Sequence, residues 1–517
     1  MNADELCLSI DLGTGGPKVG VVTLDGELLA YEVHRVRTVH SDDGSATQDA
    51  NEWWTLIHAA AKRLLADPAI DASLVRAVVV TGQYASTVPV DVEGNPTGPC
   101  MTWLDTRGAA YSRRAFGGPV QGYEGRTLTR FIRTTGGAPS TSGADPIGHI
   151  LYLTNERPDI CEKTRWFMEP VDYLTMRFSG VACATHASRL AMWLTDNRHL
   201  DRYNYDRGLL AKVGISADKF PPLVAVGSAI GPVRSDVALQ LGLSNDVTVF
   251  TGLPDLHAAA YGAGATTTNA VHLALSTTSW ISCPVAKKKT DILHGIAAVP
   301  GLTNDSYVVI NSQDTGAKAL EWFQGILAGQ GQPMAISAMT ALAATSPPGA
   351  RGVIFTPWLT GERSPIDNKQ IRAGFTNLSV TSNTADLVRA VMEGVAANSA
   401  WLFRYVERFT KTRLEPVRLV GGGAQSDLWC QIYADTLGRE VHQVNEPMLA
   451  QLRGMALMAS VALGRRDLAS LEQLRVPVRV FHPDPNTVNA YQHKSKELEE
   501  LFRRDNKWRK KQRSLRA

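Results

Sequence analysis

The segment at residues 10–18, IDLGTGGPK, contains the groups that a phosphate-binding loop requires. Its glycines leave backbone N–H groups open to an anion, Thr14 adds a hydroxyl and Lys18 adds a cation. The Asp11 carboxylate suits a Mg²⁺ ion bound through water. The segment could thus hold a nucleotide triphosphate, and a plain glycine-rich β-turn with a solvated lysine is the alternative. It is not a Walker loop, because GxxxxGK[ST] does not occur in the sequence.

A second candidate is a lone carboxylate, Asp255, which lies between an apolar strand-like run at 248–250 and a run of small residues typical of a helix. An acid at a helix start lies against backbone N–H donors and can accept a proton from a bound hydroxyl. Taken alone, Asp255 is explained more simply as a helix N-cap.

Two loops in the second half of the chain could also contact a nucleotide. Four consecutive hydroxyl residues at 276–279 end a predicted strand, where they could clamp phosphates. The run VGGGAQS at 420–426 ends another strand in three glycines, which permit close approach of a base or ribose. An ordinary turn and a flexible joint are the alternatives. Ser426 stands where GxGxxG has its third glycine, which disfavours a dinucleotide-dependent dehydrogenase.

The elements that would position these loops alternate between strands and helices. The first half has strand patterns on either side of the hairpin signal Asp25-Gly26, a helical pattern at 51–65 and a buried strand at 76–83. A comparable order restarts near residue 271, which indicates a duplication. The second half has strand patterns at 271–285, 307–311, 417–423 and 439–444, and helical patterns at 316–327, 384–409, 426–437 and 448–463. We expect an α/β protein whose two halves face each other across a ligand-binding cleft.

The chain has 517 residues, too many for one ordinary core, and an average globular composition with 44% hydrophobic and 20% charged residues. Its formal charge of +3 is uneven: eight Lys and Arg residues against Asp505 give residues 503–517 a charge of +7 and leave −4 for the rest. We therefore expect a basic tail that is disordered or lies on an acidic face, and whose deletion leaves turnover intact. Neither nucleic acid nor a membrane is the expected partner.

The N-terminus lacks the pattern of a signal peptide, and no run of apolar residues is long enough to span a membrane, so we expect a cytoplasmic protein. Its six cysteines are scattered without a CxxC pair, which predicts reduced thiols. The histidines lack ligand spacing, and no structural metal is expected.

Taken together and in this order, these segments resemble the FGGY carbohydrate kinases of the actin/hexokinase/Hsp70 superfamily, and most closely the xylulokinase branch. The resemblance covers nearly the whole chain, from residue 6 to residue 465. The strings that carry it are IDLGTGGPK (10–18), TGQY (81–84), GNPTGPCMTWLDTR (94–107), EPVDYLTMRFSG (169–180), GISADKFPPLV (214–224), TGLPDLHAAAYGAG (251–264), LTGERSPIDN (359–368), RAVMEGVA (389–396) and LVGGGAQSDLWCQIYADTLG (419–438).

The resemblance implies ATP-dependent phosphorylation of a sugar hydroxyl in a cleft between two ribonuclease-H-like α/β domains. These would span residues 1–265, with the sugar side and first phosphate loop, and 266–485, with the second phosphate loop and adenosine site, before a basic tail at 486–517. Asp255 would be the general base, and Asp11 and Asp255 would position Mg²⁺. The implied nucleotide-binding residues are Gly13, Thr14, Lys18, Thr277, Thr278, Ser279, Gly421, Gly422, Gly423, Ala424 and Ser426. The implied sugar-side residues are Gln83, Tyr84, Trp103, Asp105 and Asp255.

Several residues depart from the usual pattern of that family. Residues 82–86 read GQYAS where xylulokinases usually carry GQMHG, Leu104 stands where a polar residue is usual, and Ser276 replaces a glycine. We expect a kinase with altered sugar recognition, for a pentulose such as D-xylulose or a related ketose or polyol. The alternative is a catalytically weak or inactive relative that binds sugar or nucleotide. An actin-like filament or chaperone ATPase shares only the phosphate loops. Homodimers are common in the family.

Overall fold

The computed structural model describes residues 5–120, 122–474 and 477–514. Two β-sheets, one from each half of the chain, form the centres of two units. The first sheet has seven strands. In spatial order they are Ala229–Pro232, Thr248–Phe250, Val75–Gly82, Leu6–Gly13, Gly16–Thr23 and Leu28–Val33, with Leu253–Pro254 also paired to Val75–Gly82.

The second sheet has five strands and repeats the pairing pattern of the first. In spatial order they are Ser279–Ser282, Val271–Leu275, Val417–Val420, Val441–Val444 and Pro477–Phe481. In both sheets an antiparallel hairpin is followed by two parallel pairings and a final antiparallel one. The half-chain duplication predicted from element order is therefore present in the strand pairings.

Helices surround both sheets. In the first unit they are Ala50–Leu65, Ala109–Phe116, Gly125–Thr135, Pro146–Glu156, Pro158–Lys163, Pro170–Ser179, Arg207–Val213, Ser235–Leu241 and Asp255–Gly262. In the second they are Lys318–Ala328, Ile336–Ala344, Thr384–Thr410, Asp427–Leu437, Ala450–Ala462 and Pro485–Ser514. The remaining strands are Val39–His40, Ala46–Gln48, Val88–Val90, Cys100–Met101, Gly117–Gly118, Gly122–Tyr123, Trp166–Met168, Pro284–Val285, Thr290–Asp291, Ile296–Pro300, Tyr307–Ile310, Ile354–Thr356 and Gly374–Thr376.

Local capping explains where the predicted helices begin. The Asp49 side chain accepts the backbone N–H of Asn51 at 2.9 Å, so the first helix starts at residue 50. The helix Thr384–Thr410 starts with a capping box in which Asn383 and Asp386 each accept the other's backbone N–H. Such caps satisfy N–H groups that have no partner within the helix.

The central strand of the first sheet is buried on both faces, and the two halves of the chain each cover one face. On one face Ile10 packs in a cluster with Trp53 of the first helix. On the other face Cys7 packs in a cluster with Met455. Met455 belongs to Ala450–Ala462, here named the bridging helix, which comes from the second half of the chain. The two units therefore share part of their core.

The predicted C-terminal tail packs on the second unit over its first part, before the basic run that starts at Arg503. From residue 485 it forms one helix as far as Ser514, here named the C-terminal helix. Leu498 is fully buried, and Phe502 packs against the rings of Trp358 and Trp401 at 5.9 and 5.5 Å. The segment KELEELFRR (496–504) is a charged helical pattern in the sequence, and its apolar residues pack against Trp358 and Trp401 of the folded second unit.

A buried ion network also holds the C-terminal helix in place. Glu393 is fully buried and accepts hydrogen bonds from Arg389 and from the Tyr491 hydroxyl, both at 2.8 Å. The Lys494 ammonium donates to the other Glu393 oxygen at 2.5 Å. Removing one member of a buried ion pair leaves an uncompensated charge, which is costly.

Ending the chain after Asp484 is therefore expected to destabilise the second unit by at least ~3 kcal/mol, because Glu393 loses two partners and an apolar surface is uncovered. Calorimetric melting of the shortened and full chains measures this loss. A chain ending after Arg509 keeps the contacts described above and should melt like the full protein. Equal melting of all three chains would show that this helix contributes nothing to the fold.

The cysteine prediction agrees with the structure, since all six thiols are free and only Cys161 is not fully buried. Within the described residues, every helix is too short or too polar to cross a membrane.

Candidate active site

The carboxyl ends of neighbouring strands bring Asp11, Gln83 and Asp255 to one edge of the first sheet. Asp11 pairs in register with Thr81, two residues before Gln83. Asp255 directly follows Leu253–Pro254, which pairs in parallel with the same strand as Asp11 does. Ligands of α/β sheets bind at this edge, because the loops that follow the strands open there.

Asp11, Lys18 and Asp255 form the charged centre of this edge. Lys18 Nζ lies 2.7 Å from Asp11 Oδ2, and the Asp11 side chain is almost fully buried. The backbone N–H of Leu256 donates to Asp255 Oδ1 at 2.7 Å. Burial and, next to it, the negative charge of Asp11 raise the pKa of Asp255 to about 7. A carboxylate with that pKa is suited to take a proton from a hydroxyl at neutral pH.

The first predicted phosphate loop turns tightly and contacts the predicted sugar side. Gly16 has φ +133°, and a Cβ atom there would lie 2.2 Å from the His34 carbonyl oxygen, so the turn requires glycine. The Thr14 hydroxyl donates to Gln83 Oε1 at 3.1 Å and accepts the indole N–H of Trp103 at 3.0 Å. The hydroxyl predicted to contact nucleotide therefore also orders two of the residues predicted to contact sugar. Gly13 and Lys18 lie on the two strands of the same hairpin.

Gln48 is a site residue that the sequence did not reveal. Its amide nitrogen donates to the Thr14 carbonyl oxygen at 2.8 Å, and its amide oxygen accepts from Gln83 Nε2 at 3.0 Å. It is 2% exposed, so these bonds have little competition from water. A single glutamine in a polar stretch forms no motif and fits no periodicity, and only the folded structure brings it to the loop.

Tyr84 lies where the two units meet. Burial raises the pKa of its phenol, the Asp255 charge raises that pKa further, and the Arg363 cation of the second unit lowers it. The phenol is therefore within electrostatic reach of both the carboxylate and the cation. Arg363 is ion-paired with Asp314. The string LTGERSPIDN contributed to the family resemblance, but no site role was predicted for Arg363.

The neighbouring Glu362 holds the segment that carries Arg363 by hydrogen bonds to the rest of the second unit. It is fully buried, and it accepts the backbone N–H of Asp314 at 2.8 Å and the Asn398 side-chain amide at 2.6 Å. Burial raises its pKa to about 7. Its contacts are with protein groups, so Glu362 supports the segment that carries Arg363.

The prediction that Asp105 faces the sugar is not supported by its surroundings. Its carboxylate is fully buried, and it accepts from the Ala46 backbone N–H at 3.0 Å and from Arg107 Nη2 at 2.6 Å. A buried carboxylate needs such donors, and here they leave it turned into the protein. Asp105 instead anchors the segment that carries Trp103.

The hydroxyl loop of the second unit (276–279) exposes only some of the residues predicted to bind the nucleotide. Thr277 is exposed and Thr278 is half-buried. Ser279 is fully buried, because it begins a strand opposite Leu275 and its side chain points into the core. Two of the three predicted residues in this loop are therefore accessible to a nucleotide, and Ser279 is not.

The glycine loop lies directly against the hydroxyl loop. Gly421 has φ +93°, and a Cβ atom there would lie 2.5 Å from Ser276 Oγ and 2.7 Å from the Leu275 carbonyl oxygen. Any side chain at this position would push the two loops apart. The two segments predicted to hold phosphate and adenosine thus form one continuous surface.

Within the glycine loop, Gly422 is exposed, whereas Gly423 and Ala424 are buried. Ser426 is the N-cap of the following helix, and its hydroxyl accepts the backbone N–H of Trp429 at 3.3 Å. The Ser426 side chain is therefore occupied in capping, and the exposed backbone near Gly422 is the part open to a ligand.

The two carboxylates of the first unit fit a Mg²⁺ ion. Lys18 engages one Asp11 oxygen and Leu256 one Asp255 oxygen, so each carboxylate keeps an oxygen without a hydrogen bond from the described residues. Nowhere in 5–120, 122–474 or 477–514 do three or more His, Cys, Asp or Glu residues gather as a metal cage. Mg²⁺ is commonly bound by one or two carboxylates together with water and substrate phosphates, which matches this pair.

The sequence matches the N-terminal domain of the FGGY family of carbohydrate kinases over residues 6–262 and the C-terminal domain of that family over residues 268–463. A xylulose kinase of Staphylococcus epidermidis is 25% identical over 96% of this chain and 97% of its own. A gluconokinase of Bacillus subtilis is 24% identical over 89% of this chain and 88% of its own.

The fold is shared with a solved structure. The crystal structure of a ligand-bound xylulose kinase from Lactobacillus acidophilus superimposes with a TM-score of 0.84 at 20% identity, over 96% of this chain and 97% of that one. The matched family domains cover the first sheet, four of the five strands of the second sheet and the loops described above. The chain therefore belongs to the FGGY family of carbohydrate kinases, which are ATP-dependent phosphotransferases.

Proposed function

We propose that the protein transfers the terminal phosphoryl group of ATP to a hydroxyl of a pentulose such as D-xylulose, or of a related ketose or polyol, with Asp255 as the general base. The observation that carries this proposal is the position of Asp255 beside Asp11 at the strand ends, with a pKa of about 7. Relatives named xylulose kinase support a pentulose, and the gluconokinase relatives extend the range of open-chain acceptors to be tested.

In this mechanism Asp255 takes the proton of the attacking hydroxyl through the oxygen that Leu256 does not engage. Lys18 and the loop N–H groups balance phosphate charge. Asp11 would hold Mg²⁺, and Asp255 would contribute through water so that its free oxygen stays open to the hydroxyl; the ion would neutralise charge on the phosphate oxygens. Phosphoryl transfer needs positioning and charge neutralisation more than covalent chemistry, and these residues supply both.

The acceptor lies against Gln83, Tyr84 and Trp103 in this proposal. Gln83 and Trp103 are both bonded to the Thr14 hydroxyl, so they form one ordered wall. The Tyr84 phenol is within electrostatic reach of Asp255. Tyr84 and Trp103 offer ring faces to the carbon skeleton, and Gln83 offers an amide to its hydroxyls.

A panel assay tests the proposed reaction. Purified protein with ATP and Mg²⁺ is expected to release ADP when a ketopentose is added, with lower kcat/KM for aldoses, aldonates and polyols. Each acceptor is measured against a blank without acceptor, which reports ATP hydrolysis by water. Failure of every acceptor to raise ADP release would favour the inactive relative, and Ser276→Gly, which restores the usual glycine of the second loop, would then be the first variant to assay.

The pH dependence tests the base. Only the deprotonated carboxylate accepts a proton, so kcat/KM for MgATP, which reports the enzyme before the metal binds, is expected to rise with pH and level off above the Asp255 pKa of about 7. Bound Mg²⁺ favours the charged carboxylate and moves the corresponding step in kcat to lower pH. A kcat/KM that stays flat between about pH 5.5 and 8.5 would contradict this assignment.

A further inference from the structure

A buried carboxylate, Glu169, lies behind the sugar-side residues and has no role in the reaction proposed above. It directly follows the strand Trp166–Met168, which pairs antiparallel with Val88–Val90. This pairing places Glu169 beside residues 85–87, which connect Tyr84 to that strand. Glu169 is fully buried, and its Oε2 accepts the backbone N–H of Ser86 at 3.0 Å. Its Oε1 has no hydrogen-bond partner in the described residues.

The nearby cation, Arg189, does not explain why Glu169 is buried. Arg189 is also fully buried, but its Nε lies 3.1 Å from Asp172 Oδ2 and its Nη1 donates to the Phe167 carbonyl oxygen at 2.9 Å. Arg189 thus has Asp172 as its ion-pair partner, and it contributes to Glu169 only at longer range. Burying a carboxyl group is unfavourable without compensation. The burial of Glu169, whose hydrogen bond is to the Ser86 N–H, therefore needs a structural reason.

The residue between Tyr84 and Ser86 supplies that explanation. Ala85 has φ +59°, in the left-handed region that side-chain-bearing residues adopt at a cost. The Glu169 bond to the next N–H holds the chain in this turn. Without it, Ala85 would relax toward ordinary φ and carry Tyr84 away from its position.

The same turn is linked onward to the phosphate loop. The Ser86 hydroxyl accepts the backbone N–H of Trp103 at 3.1 Å, and the Trp103 indole donates to the Thr14 hydroxyl at 3.0 Å. A continuous chain of hydrogen bonds therefore joins Glu169 to the wall formed by Gln83 and Trp103.

We propose that Glu169 is a positioning residue for the acceptor: by bonding the Ser86 N–H it fixes the left-handed turn at Ala85 and so sets the direction of Tyr84 and Trp103. This inference rests on the proposed function for the identity of the ligand at that wall. It assigns to Glu169 no contact with substrate.

Steady-state kinetics with the best acceptor of the panel test this role. Glu169→Ala is expected to raise the acceptor KM about tenfold or more, because the buried Ser86 N–H loses its hydrogen-bond acceptor, while the KM for ATP changes less than about twofold. Glu169→Gln keeps an amide oxygen for the Ser86 N–H and should stay within about threefold of the wild type. Equal rises in both KM values, or no rise in either, would overturn the proposal.

A rescue experiment separates positioning from general support of the fold. Glycine adopts positive φ without the cost that alanine pays, so adding Ala85→Gly to Glu169→Ala should restore most of the acceptor KM. A residue that merely stabilised the fold would not be rescued by a glycine at this one position. Absence of rescue would therefore count against the proposed turn mechanism.

Two further measurements keep the test decisive. If Glu169→Ala does not fold, Ala85→Val alone should raise the acceptor KM by strengthening the penalty on positive φ, whereas Ala85→Gly alone should not.

If wild-type protein phosphorylates no acceptor, the proposed function fails. The turn is then tested by amide hydrogen exchange, where the Ser86 and Trp103 amides should lose protection in Glu169→Ala and keep it in Glu169→Gln. Unchanged exchange there would overturn the inference by itself.

Discussion

Replacing Asp255 with Asn is expected to lower kcat by about 10²- to 10⁴-fold, the range that general-base assistance contributes. The substitution keeps an oxygen for the Leu256 N–H at the helix start, so the local fold should persist. It removes the only proposed acceptor for the hydroxyl proton. It also removes one of the two negative charges proposed to face Mg²⁺, so the Mg²⁺ requirement should increase.

Measurement of kcat together with nucleotide affinity distinguishes loss of chemistry from loss of binding. ATP binding measured by calorimetry should change by less than about tenfold, because the phosphate loops and Lys18 are untouched. Asp246→Asn changes an exposed aspartate outside the site and serves as the matched control. Wild-type kcat in the Asp255→Asn protein would show that another group takes the proton.

The strands and helices around this site could be predicted because their apolar residues repeat with the period of the element. The helix predicted at 51–65 spans Ala50–Leu65, and the helix predicted at 384–409 spans Thr384–Thr410. The hairpin carrying Asp11 and Lys18 can be predicted from local composition, since a strand ending in glycines presents its groups within a few residues.

Contacts between residues far apart in the chain could not be predicted from such local patterns. Gln48 and Arg363 reach the site only through tertiary packing; Gln48 has no local signal, and Arg363 lies in a string typical of the family that predicted no role for it. Asp105 and Ser279 have the right chemical type, but strand register and burial turn their side chains inward. The helical pattern at the start of the C-terminal tail is visible in the sequence, but its packing could not be predicted, because the surface that it covers is built from distant segments.

Replacing Gly454 with Ala is expected to damage both stability and turnover. Gly454 lies on the bridging helix where it crosses Asp255–Gly262, and a Cβ atom there would lie 1.9 Å from the Ala258 carbonyl oxygen. At the other contact, a Cβ atom on Gly262 would lie 1.8 Å from the Ala450 carbonyl oxygen. The obstacle at both points is backbone, which cannot rotate away as a side chain can. The helices must separate, at a cost of about 3 kcal/mol by analogy with overpacked cores.

This cost extends to catalysis because the displaced helix begins at Asp255. Ala258 lies one turn after that residue, so a shift of the helix moves the proposed base, and a displacement of about 1 Å can reduce turnover by about 10²-fold. Thermal melting and kcat should therefore fall together. Gly325→Ala is the matched control: Gly325 lies on a helix, and its added Cβ would meet nothing within 4 Å, so this variant should melt at or above the wild-type temperature. If Gly454→Ala instead melts and turns over like the wild type, the two helices are free to separate and the close crossing does not hold the base in place.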